Sequence, residues 1–343
     1  MPVLTGKRDG VVSGAYADCF NKAIMYISSS ASCNPMNKPL GPYEFSRTEL
    51  QAFSELAQSP TSISQLAKQI RKSQPTVTEI VERLREKGLV TVERLGMRKL
   101  VRVGQAKHAQ LLREIIIAYP HVPWQSLLAF SQIYPLLRFE GAAPATVSRT
   151  TDWRALRNLM AHGIIINEEK GVTINPKFRK LAEFIQEFLT FVNIKSATRL
   201  SENAVIVWAS GSQFIVRVAA GTRVLDKRFQ PTATTALPRY GIRLISDVKY
   251  YFFSPRDGAL RAEDVALHTL LIDGLTNITY ALVLLAKIKV DRNYLLNRGK
   301  MVGLYEQIEA MLRFLDTHRP QSSAALPTWD EFVEKAQEYG VDI

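Results

Sequence analysis

The chain has 343 residues, of which 46% are hydrophobic, 22% charged and 9% aromatic. This composition is ordinary for a globular protein and excludes collagen-like, low-complexity and wholly disordered classes. At about 100–200 residues per domain, the length predicts two or three domains. Lysine and arginine number 44 against 32 acidic residues, a net charge of +12 that favours polyanionic partners, nucleic acid first and an anionic membrane surface second.

Cysteine usage and hydropathy predict a cytoplasmic protein. Cys19 and Cys33 are too few for a disulfide framework or a cysteine-bound metal cluster. The opening residues MPVLTGKRDG lack the apolar core of a signal peptide. The most apolar stretch, ITYALVLLA at residues 278–286, is far shorter than the ~20 residues that a membrane span needs, so we expect no membrane insertion.

Residues 1–45 are rich in Gly, Ser, Asn and Pro and are predicted to be an N-terminal extension with one helix from Ala15 to Ile27. Residues 46–103 show three helical patterns. FSRTELQAFSEL starts with Ser46 as cap and Glu49 at capping-box spacing, and SPTSISQLAKQI follows a Ser-Pro break. SQPTVTEIVERLREKG has Ser73 as cap, Pro75 in its first turn and a glycine stop.

Two alternating segments, LVTVERL and RKLVRV, follow the third helix and are joined by Gly96-Met97, which predicts a β-hairpin. Three short helices and a hairpin form a winged helix-turn-helix. A shift of 75 residues places Gly88 on Gly163 and Leu84 on Leu159, which indicates a second copy within residues 104–193. Its first helices would span 124–139, its third helix 153–162, and its hairpin IIINEEKGVTIN would turn at Lys170-Gly171.

Residues 194–343 differ in character. AVIVWAS and QFIVRVA flank a Gly-Ser turn as a hairpin, IRLISDVKYYFF predicts another strand, and four helical patterns follow Arg261. We predict an α+β domain for sensing, dimerisation or partner binding. The predicted fold class is therefore α+β, with tandem winged helix-turn-helix domains followed by a mixed α+β C-terminal domain.

The third helix of a winged helix enters the major groove and the wing lies along the backbone. Because its apolar stripe must face the core, the first turn of this helix is free to contact base edges, and basic residues before the helix and on the wing can hold phosphates. The predicted base contacts are Ser73, Gln74, Thr76 and Thr78. The predicted backbone and remaining DNA contacts are Arg71, Lys72, Arg83, Arg94, Arg98, Lys99, Arg102 and, in the second unit, Ser148, Arg149 and Arg154.

The charge distribution supports this assignment, since residues 1–103 hold 15 basic against 9 acidic residues, half of the total surplus. Glu79, Glu82 and Glu86 lie on the outer face of the third helix, however, so only its first turn can insert deeply. Winged helices also serve as protein-interaction modules, which is the competing interpretation. The second hairpin carries Glu168 and Glu169, so DNA contact by the second unit is left open.

The run SISQLAKQIRKSQPTVTEIVERLREKGLV resembles the MarR/ArsR-like transcription regulators of bacteria and archaea over about thirty residues, and Arg98-Lys99 match their basic wing. Glu79 departs from the basic or neutral residue that such families often have there. PTATTALPRYGIRLI, YYFFSP and RAEDVALHTLLID resemble the C-terminal region of AbiEi-type antitoxins and related archaeal regulators. That resemblance implies a winged helix joined to an α+β domain, repression of the protein's own promoter, and a nucleotidyltransferase-like toxin as partner.

An enzyme is the third hypothesis. The chain has no G-x-G-x-x-G, G-x-x-x-x-G-K-[ST] or H-E-x-x-H motif. Asp264 and His268 stand at helical i, i+4 spacing beside Glu263, but a metal would need a further ligand, and an ordinary helix start explains the acids equally well. We expect no catalytic residues, no metal and no cofactor. Trp124, Trp153 and Trp208 are expected in the core and not stacked on nucleic-acid bases.

The functional hypothesis is a sequence-specific regulator of transcription that binds double-stranded DNA. A homodimer is expected because operators are commonly two-fold symmetric, and the C-terminal domain could hold a protein partner. Two alternatives stay open: an AbiEi-type antitoxin or adaptor that acts mainly on a protein partner, and a plasmid or viral replication factor that binds origin repeats.

Overall fold

The computed structural model describes residues 41–95, 98–133, 135–138, 149–168, 171–255, 259–274, 276–319 and 326–341. The predicted helix at 15–27 and the hairpin turns at Gly96-Met97 and Lys170 lie outside these ranges. Within them, no helix is long and apolar enough to cross a membrane.

Three helices and a small antiparallel sheet form the first part of the described chain. The helices are α1 (Arg47–Gln58), α2 (Ile63–Gln69) and α3 (Gln74–Glu86). The strands are β1 (Thr61–Ser62), β2 (Val90–Leu95) and β3 (Arg98–Val103), in the order β1-β3-β2. The predicted winged helix-turn-helix is therefore confirmed, with a short first strand that the sequence patterns did not indicate.

Local signals in the sequence fix the ends of these helices. Ser46 and Glu49 form the predicted capping box on α1, and Ser73 caps α3, whose first turn contains Pro75. Gly88 follows the end of α3 with φ of 69°, a left-handed conformation that favours glycine. Side chains such as Phe53, fully buried, pack the helices on one apolar core.

The next part of the chain repeats some of this arrangement. It contains α4 (Lys107–Ala118), α5 (Trp124–Leu127), α6 (Arg149–Ala161), β4 (Ile165–Glu168), β5 (Gly171–Ile174) and α7 (Arg179–Leu200). Gly163 follows α6 with φ of 66°. The Ile164 amide bonds the Leu159 carbonyl at 3.0 Å, as the Leu89 amide bonds the Leu84 carbonyl at 3.0 Å after α3. Both helices thus end in the same way 75 residues apart, and each is followed by an antiparallel hairpin.

Helix α7 is longer than predicted, and the predicted domain boundary between residues 193 and 194 falls inside it. The amphipathic pattern predicted its first two thirds, but the helix continues to Leu200. Asn193, where the sequence changes character, is buried and bonds two other segments: its Oδ1 accepts from the Tyr43 hydroxyl at 2.6 Å, and its Nδ2 donates to the Gly211 carbonyl at 3.0 Å. The end of the predicted extension, at Tyr43 and Phe45, is likewise buried.

The C-terminal part is an antiparallel sheet followed by helices. The strands are β6 (Val205–Ser210), β7 (Gln213–Ala219), β8 (Phe229–Pro231) and β9 (Val248–Phe253), in the order β6-β7-β9-β8. The helices are α8 (Ala262–Asp273), α9 (Ile278–Lys287), α10 (Arg292–Met301), α11 (Tyr305–Thr317) and α12 (Trp329–Glu338). Phe214 and Phe253 face the core shared with α7, whereas Ile215 and Phe252 face the opposite side. The α+β class is confirmed.

Two differences from the sequence expectations concern strands. IRLISDVKYYFF forms a strand only from Val248 onward, and Ile245 is fully exposed while Ile242 is buried. β8 was not predicted, because it is only three residues long and contains a proline. It pairs with β9 as an edge strand, a position that tolerates proline.

Candidate nucleic-acid interface

The first turn of α3 is polar and exposed to solvent. Ser73 Oγ accepts a hydrogen bond from the Thr76 amide at 3.4 Å and lies 2.8 Å from Thr76 Oγ1. Thr78 donates its hydroxyl to the Gln74 carbonyl at 3.0 Å. The exposed Gln74 side chain forms no hydrogen bond with another described residue. Because a glutamine amide can bond both N6 and N7 of adenine, Gln74 is the predicted base contact with its full bonding capacity available.

The rotation of α3 about its axis is fixed by its apolar stripe. Val77, Ile80, Val81 and Leu84 are fully buried, as predicted. Glu79 and Glu82 are exposed on the opposite face. A phosphate backbone would be repelled there, so the first turn is the part of α3 suited to close approach.

The turn between α2 and α3 contains Arg71 in a left-handed conformation, with φ of 55°. The Arg71 amide bonds the Lys68 carbonyl at 3.3 Å and the Lys72 amide bonds the Ala67 carbonyl at 3.0 Å. These are the two hydrogen bonds of a Schellman helix end, whose left-handed position is usually glycine. An arginine there costs backbone strain, and strain of this kind concentrates at functional sites. The exposed guanidinium lies immediately before the first turn of α3.

Replacing Arg71 by glycine is therefore expected to stabilise the fold and weaken DNA binding at the same time. Glycine relieves the left-handed strain, for a gain of up to about 1 kcal/mol in the free energy of unfolding in urea. Loss of one phosphate contact lowers the slope of log affinity against log salt by about 0.9. Arg71→Ala is the matched control, since it loses the charge but keeps the strain. A glycine variant less stable than the alanine variant would contradict this account of the turn.

The wing places two like charges directly opposite each other. Arg94 on β2 and Lys99 on β3 are partners in the antiparallel register, and both are exposed. By strand alternation they lie on the same face as Val92 and Val101, beyond the end of the core. Neither forms an ion pair with an acidic residue in the described part of the chain. Like charges in this position repel, so this pair favours a bound anion.

The structure does not bring Arg102 together with Arg94 and Lys99. Arg102 points to the opposite face of β3, where its guanidinium pairs with Glu93 at 2.7 Å. It also lines a cavity of about 360 Å³ with Arg113. Arg98 begins β3, but its side chain lies outside the described part of the structure. Contact of Arg98 and Arg102 with DNA stays a prediction.

Arg83 lies nine residues beyond Gln74, toward the other end of α3, and contacts the buried carboxylate of Glu49. The sequence indicated Glu49 only as part of the helix cap of α1. Glu49 is fully buried, and its Oε1 accepts from Arg83 Nε at 3.1 Å and from Lys87 Nζ at 2.8 Å. Its Oε2 accepts from the Ser46 amide at 2.6 Å. Burial lowers the pKa of Lys87, and the Glu49 charge opposes that shift. The Glu49–Arg83–Lys87 cluster thus links the C-terminal half of α3 to α1.

Helix α7 supports the end of α3 from outside the winged helix. A Cβ on Gly88 would lie 2.5 Å from Phe191 Cζ, so the close packing of this ring requires glycine. Lys195 Nζ donates to the Glu86 carbonyl. The amphipathic pattern predicted α7, but nothing in the sequence indicated this contact, because it joins residues more than 100 positions apart.

In the second unit, Ser148 and the side chain of Arg149 lie outside the described part of the structure, and Arg154 is exposed on α6. The expectation that Trp153 packs in the core is wrong, since this residue is 54% exposed. Trp153 stands two positions before the buried Ala155, about 200° away around the helix. Trp124 is buried, as expected.

The acidic residues at the start of α8 are part of its hydrogen-bonded end. Asp264 accepts from the Tyr294 hydroxyl at 2.9 Å, from Arg298 Nε at 3.2 Å and from the Arg261 amide at 3.1 Å. Burial and Asp264 raise the pKa of Tyr294 to about 12. His268 points elsewhere and bonds Thr232 at 2.7 Å. Among the described residues, no group of three or more His, Cys, Asp or Glu side chains is placed to hold a metal ion.

His268 predicts a specific loss of stability in acid. Burial and the Arg298 charge lower its pKa to about 3, whereas in the unfolded chain it titrates near 6.5. Below pH 6.5 the unfolded state therefore binds one more proton, and the free energy of unfolding falls by about 1.4 kcal/mol per pH unit down to about pH 3. His268→Gln should remove the contribution of this proton from the pH dependence of the free energy of unfolding, measured in urea. An unchanged slope between pH 6.5 and 4.5 would contradict the buried neutral imidazole.

Three features define a winged helix-turn-helix domain: a capped and exposed first helical turn, a three-helix core, and a two-strand wing whose cations Arg94 and Lys99 have no acidic partner in the described chain. Residues 43–97 match the family model MarR_2, described as MarR family, and this match supports a MarR-family winged helix-turn-helix in the first half of the chain. The match indicates a DNA-binding regulator of transcription, a class that usually forms dimers and is typically not enzymatic.

Residues 226–341 match a second model, HVO_2833_C, described as C-terminal. That description assigns no activity, so the AbiEi-type resemblance and the protein partner it implies stay predictions. No curated protein and no solved structure matches the chain.

Proposed function

We propose that this protein is a sequence-specific regulator of transcription that binds double-stranded DNA through α3 and the β2–β3 wing. The observation that carries the proposal is the exposed Arg94–Lys99 pair, directly opposed in the wing and without an acidic partner in the described chain. An ordinary surface disperses such charges or pairs them, whereas a phosphate backbone neutralises both.

The proposed contacts divide into two kinds. Arg71 and Lys72 before α3, with Arg94 and Lys99 on the wing, supply affinity through phosphates, and this part depends on salt. Gln74 supplies base recognition from the major groove. Because the hydroxyls of Ser73, Thr76 and Thr78 already take part in helix hydrogen bonds, their share in base contact is secondary.

The region from α5 to β5 is proposed to be a second winged helix, and the protein to act as a homodimer. The matching hydrogen bonds at the ends of α3 and α6, and the hairpin after each, support the repeat. Two-fold symmetry would match a palindromic operator.

Gln74→Ala tests the division between the two kinds of contact. The variant should lose discrimination at one base position, by about 1–3 kcal/mol between the preferred and the wrong base, while its affinity for random duplex and its salt slope stay unchanged. Competition binding with single-base variants of the selected site gives the measurement. An equal loss on every duplex would show that Gln74 does not recognise a base.

A further inference from the structure

The exposed face of α6 combines an indole with two arginines. Trp153 is 54% exposed, and Arg154 and Arg157 are also exposed. At 100° per residue, Arg157 lies about 40° and Arg154 about 100° from Trp153, so the three side chains share one side of the helix. Neither arginine forms an ion pair or hydrogen bond with the described part of the chain.

This face differs from the outer face of α3 in its charge. α6 has one acidic residue, Asp152, and none from Trp153 to its end at Ala161, whereas α3 carries Glu79, Glu82 and Glu86. Beyond Asp152, α6 therefore places no acidic side chain of its own against a polyanion over about two turns. Binding of a polyanion along the outer face of α3 is unfavourable beyond the first turn, because the glutamates there repel it.

The exposed indole of Trp153 favours a polyanion that also has a flat apolar group. A buried tryptophan removes about 150–250 Å² from water, so an exposed one offers a large contact area to a flat partner. Unpaired nucleobases present such a π face, and the phosphates beside them suit the two arginines. In a regular duplex the base faces are stacked on each other and closed to a side chain. An acidic protein segment could pair with the two arginines, but its carboxylates would not use the exposed indole.

We propose that the Trp153–Arg154–Arg157 face of α6 is a second nucleic-acid site, which stacks Trp153 on an unpaired base of a DNA strand. The strand is either single-stranded or locally opened beside the site bound by α3. This proposal rests on the proposed function in one respect, that DNA is the natural ligand. It is otherwise independent, because the α6 face is separate from α3 and the wing.

The test measures binding of the full chain to a fluorescent 12-nucleotide single strand and to a duplex of the same length by anisotropy. Trp153→Ala should weaken single-strand binding by about 5- to 150-fold, equivalent to about 1–3 kcal/mol for one stacked base, and should leave duplex binding unchanged. Trp153→Phe should keep most of the affinity. Arg154→Ala with Arg157→Ala should lower the single-strand salt slope by about 1.4.

Tyr305→Ala is the matched control, since Tyr305 is an exposed aromatic residue on α11, 41% exposed. Single-strand binding by Trp153→Ala equal to that of Tyr305→Ala would overturn the proposal. Weaker single-strand binding in the double arginine variant, with no loss in Trp153→Ala, would also overturn the proposal. That result would favour an acidic protein or the backbone of a duplex as the ligand of this face. Single-strand binding that needs Trp153, in a chain that selects no duplex motif, would refute the proposed function and support this site.

Discussion

Glu49→Gln is expected to destabilise the winged helix by about 3–5 kcal/mol, because it leaves a buried cation without its counter-charge. The amide retains an oxygen for the Ser46 amide, so the cap can persist. What is lost is the buried negative charge that holds Lys87 and Arg83 at 2.8 and 3.1 Å. Lys87 is almost fully buried, so water cannot replace the carboxylate around its ammonium.

The control separates charge from packing. Adding Lys87→Met to Glu49→Gln removes the unpaired cation and fills its place with an apolar chain, so the double variant should recover much of the lost stability. Urea unfolding followed by circular dichroism measures both. A cost below about 1 kcal/mol for Glu49→Gln, or a double variant less stable than the single one, would contradict the buried cluster.

Arg94→Ala with Lys99→Ala is expected to reduce binding to every duplex. Each lost phosphate contact removes about 0.9 from the salt slope, so the pair should lower it by about 2 and leave base preference intact. Because two repelling side chains are removed, stability should stay equal or rise by a few tenths of a kcal/mol. Loss of binding in a variant that is no less stable cannot come from misfolding.

Arg223→Ala with Lys227→Ala is the matched control for this variant. Both residues are exposed in the C-terminal part, and the change in net charge is the same. The control should keep the wild-type salt slope. If both double variants lowered affinity equally, general charge and not the wing would account for DNA binding.

Local sequence signals predicted much of the DNA-binding domain. Serine caps, a capping-box glutamate, a first-turn proline and a terminal glycine act within a few residues, so Ser46, Ser73 and Gly88 mark the helix ends directly. The apolar period of α3 also gave its buried face. These features depend on neighbours along the chain and need no knowledge of the tertiary fold.

Contacts between distant residues could not be predicted in this way. Arg83 and Arg102 look like any basic residues near a recognition helix and a wing, but Arg83 pairs with Glu49 from another helix and Arg102 with Glu93 across the sheet. Trp153 was expected in the core because it falls in a helical pattern. Its place on α6 depends on the helix phase, which Ala155 and Leu159 set by their burial.

The C-terminal part shows the same limit. The helical periods of α8, α9, α11 and α12 were recognised, since each repeats an apolar position every three to four residues. The extension of α7 to Leu200 was missed because its last eight residues bury only Asn193 and Ala197, neither of which is a large apolar residue. Ser73, Gln74, Thr76 and Thr78 lie together at the exposed N-terminal end of α3, and their contact with bases stays a prediction. Which of them is free to bond a base depends on hydroxyl partners that only the structure gives.

The measurement that tests the central claim most directly is selection from a random duplex pool by the purified chain, followed by a salt titration of the selected duplex. The account predicts one enriched motif, bound with a steep salt slope that Arg94→Ala with Lys99→Ala reduces and a base preference that Gln74→Ala relaxes. Binding without an enriched motif, or no duplex binding at low salt, would contradict a sequence-specific regulator.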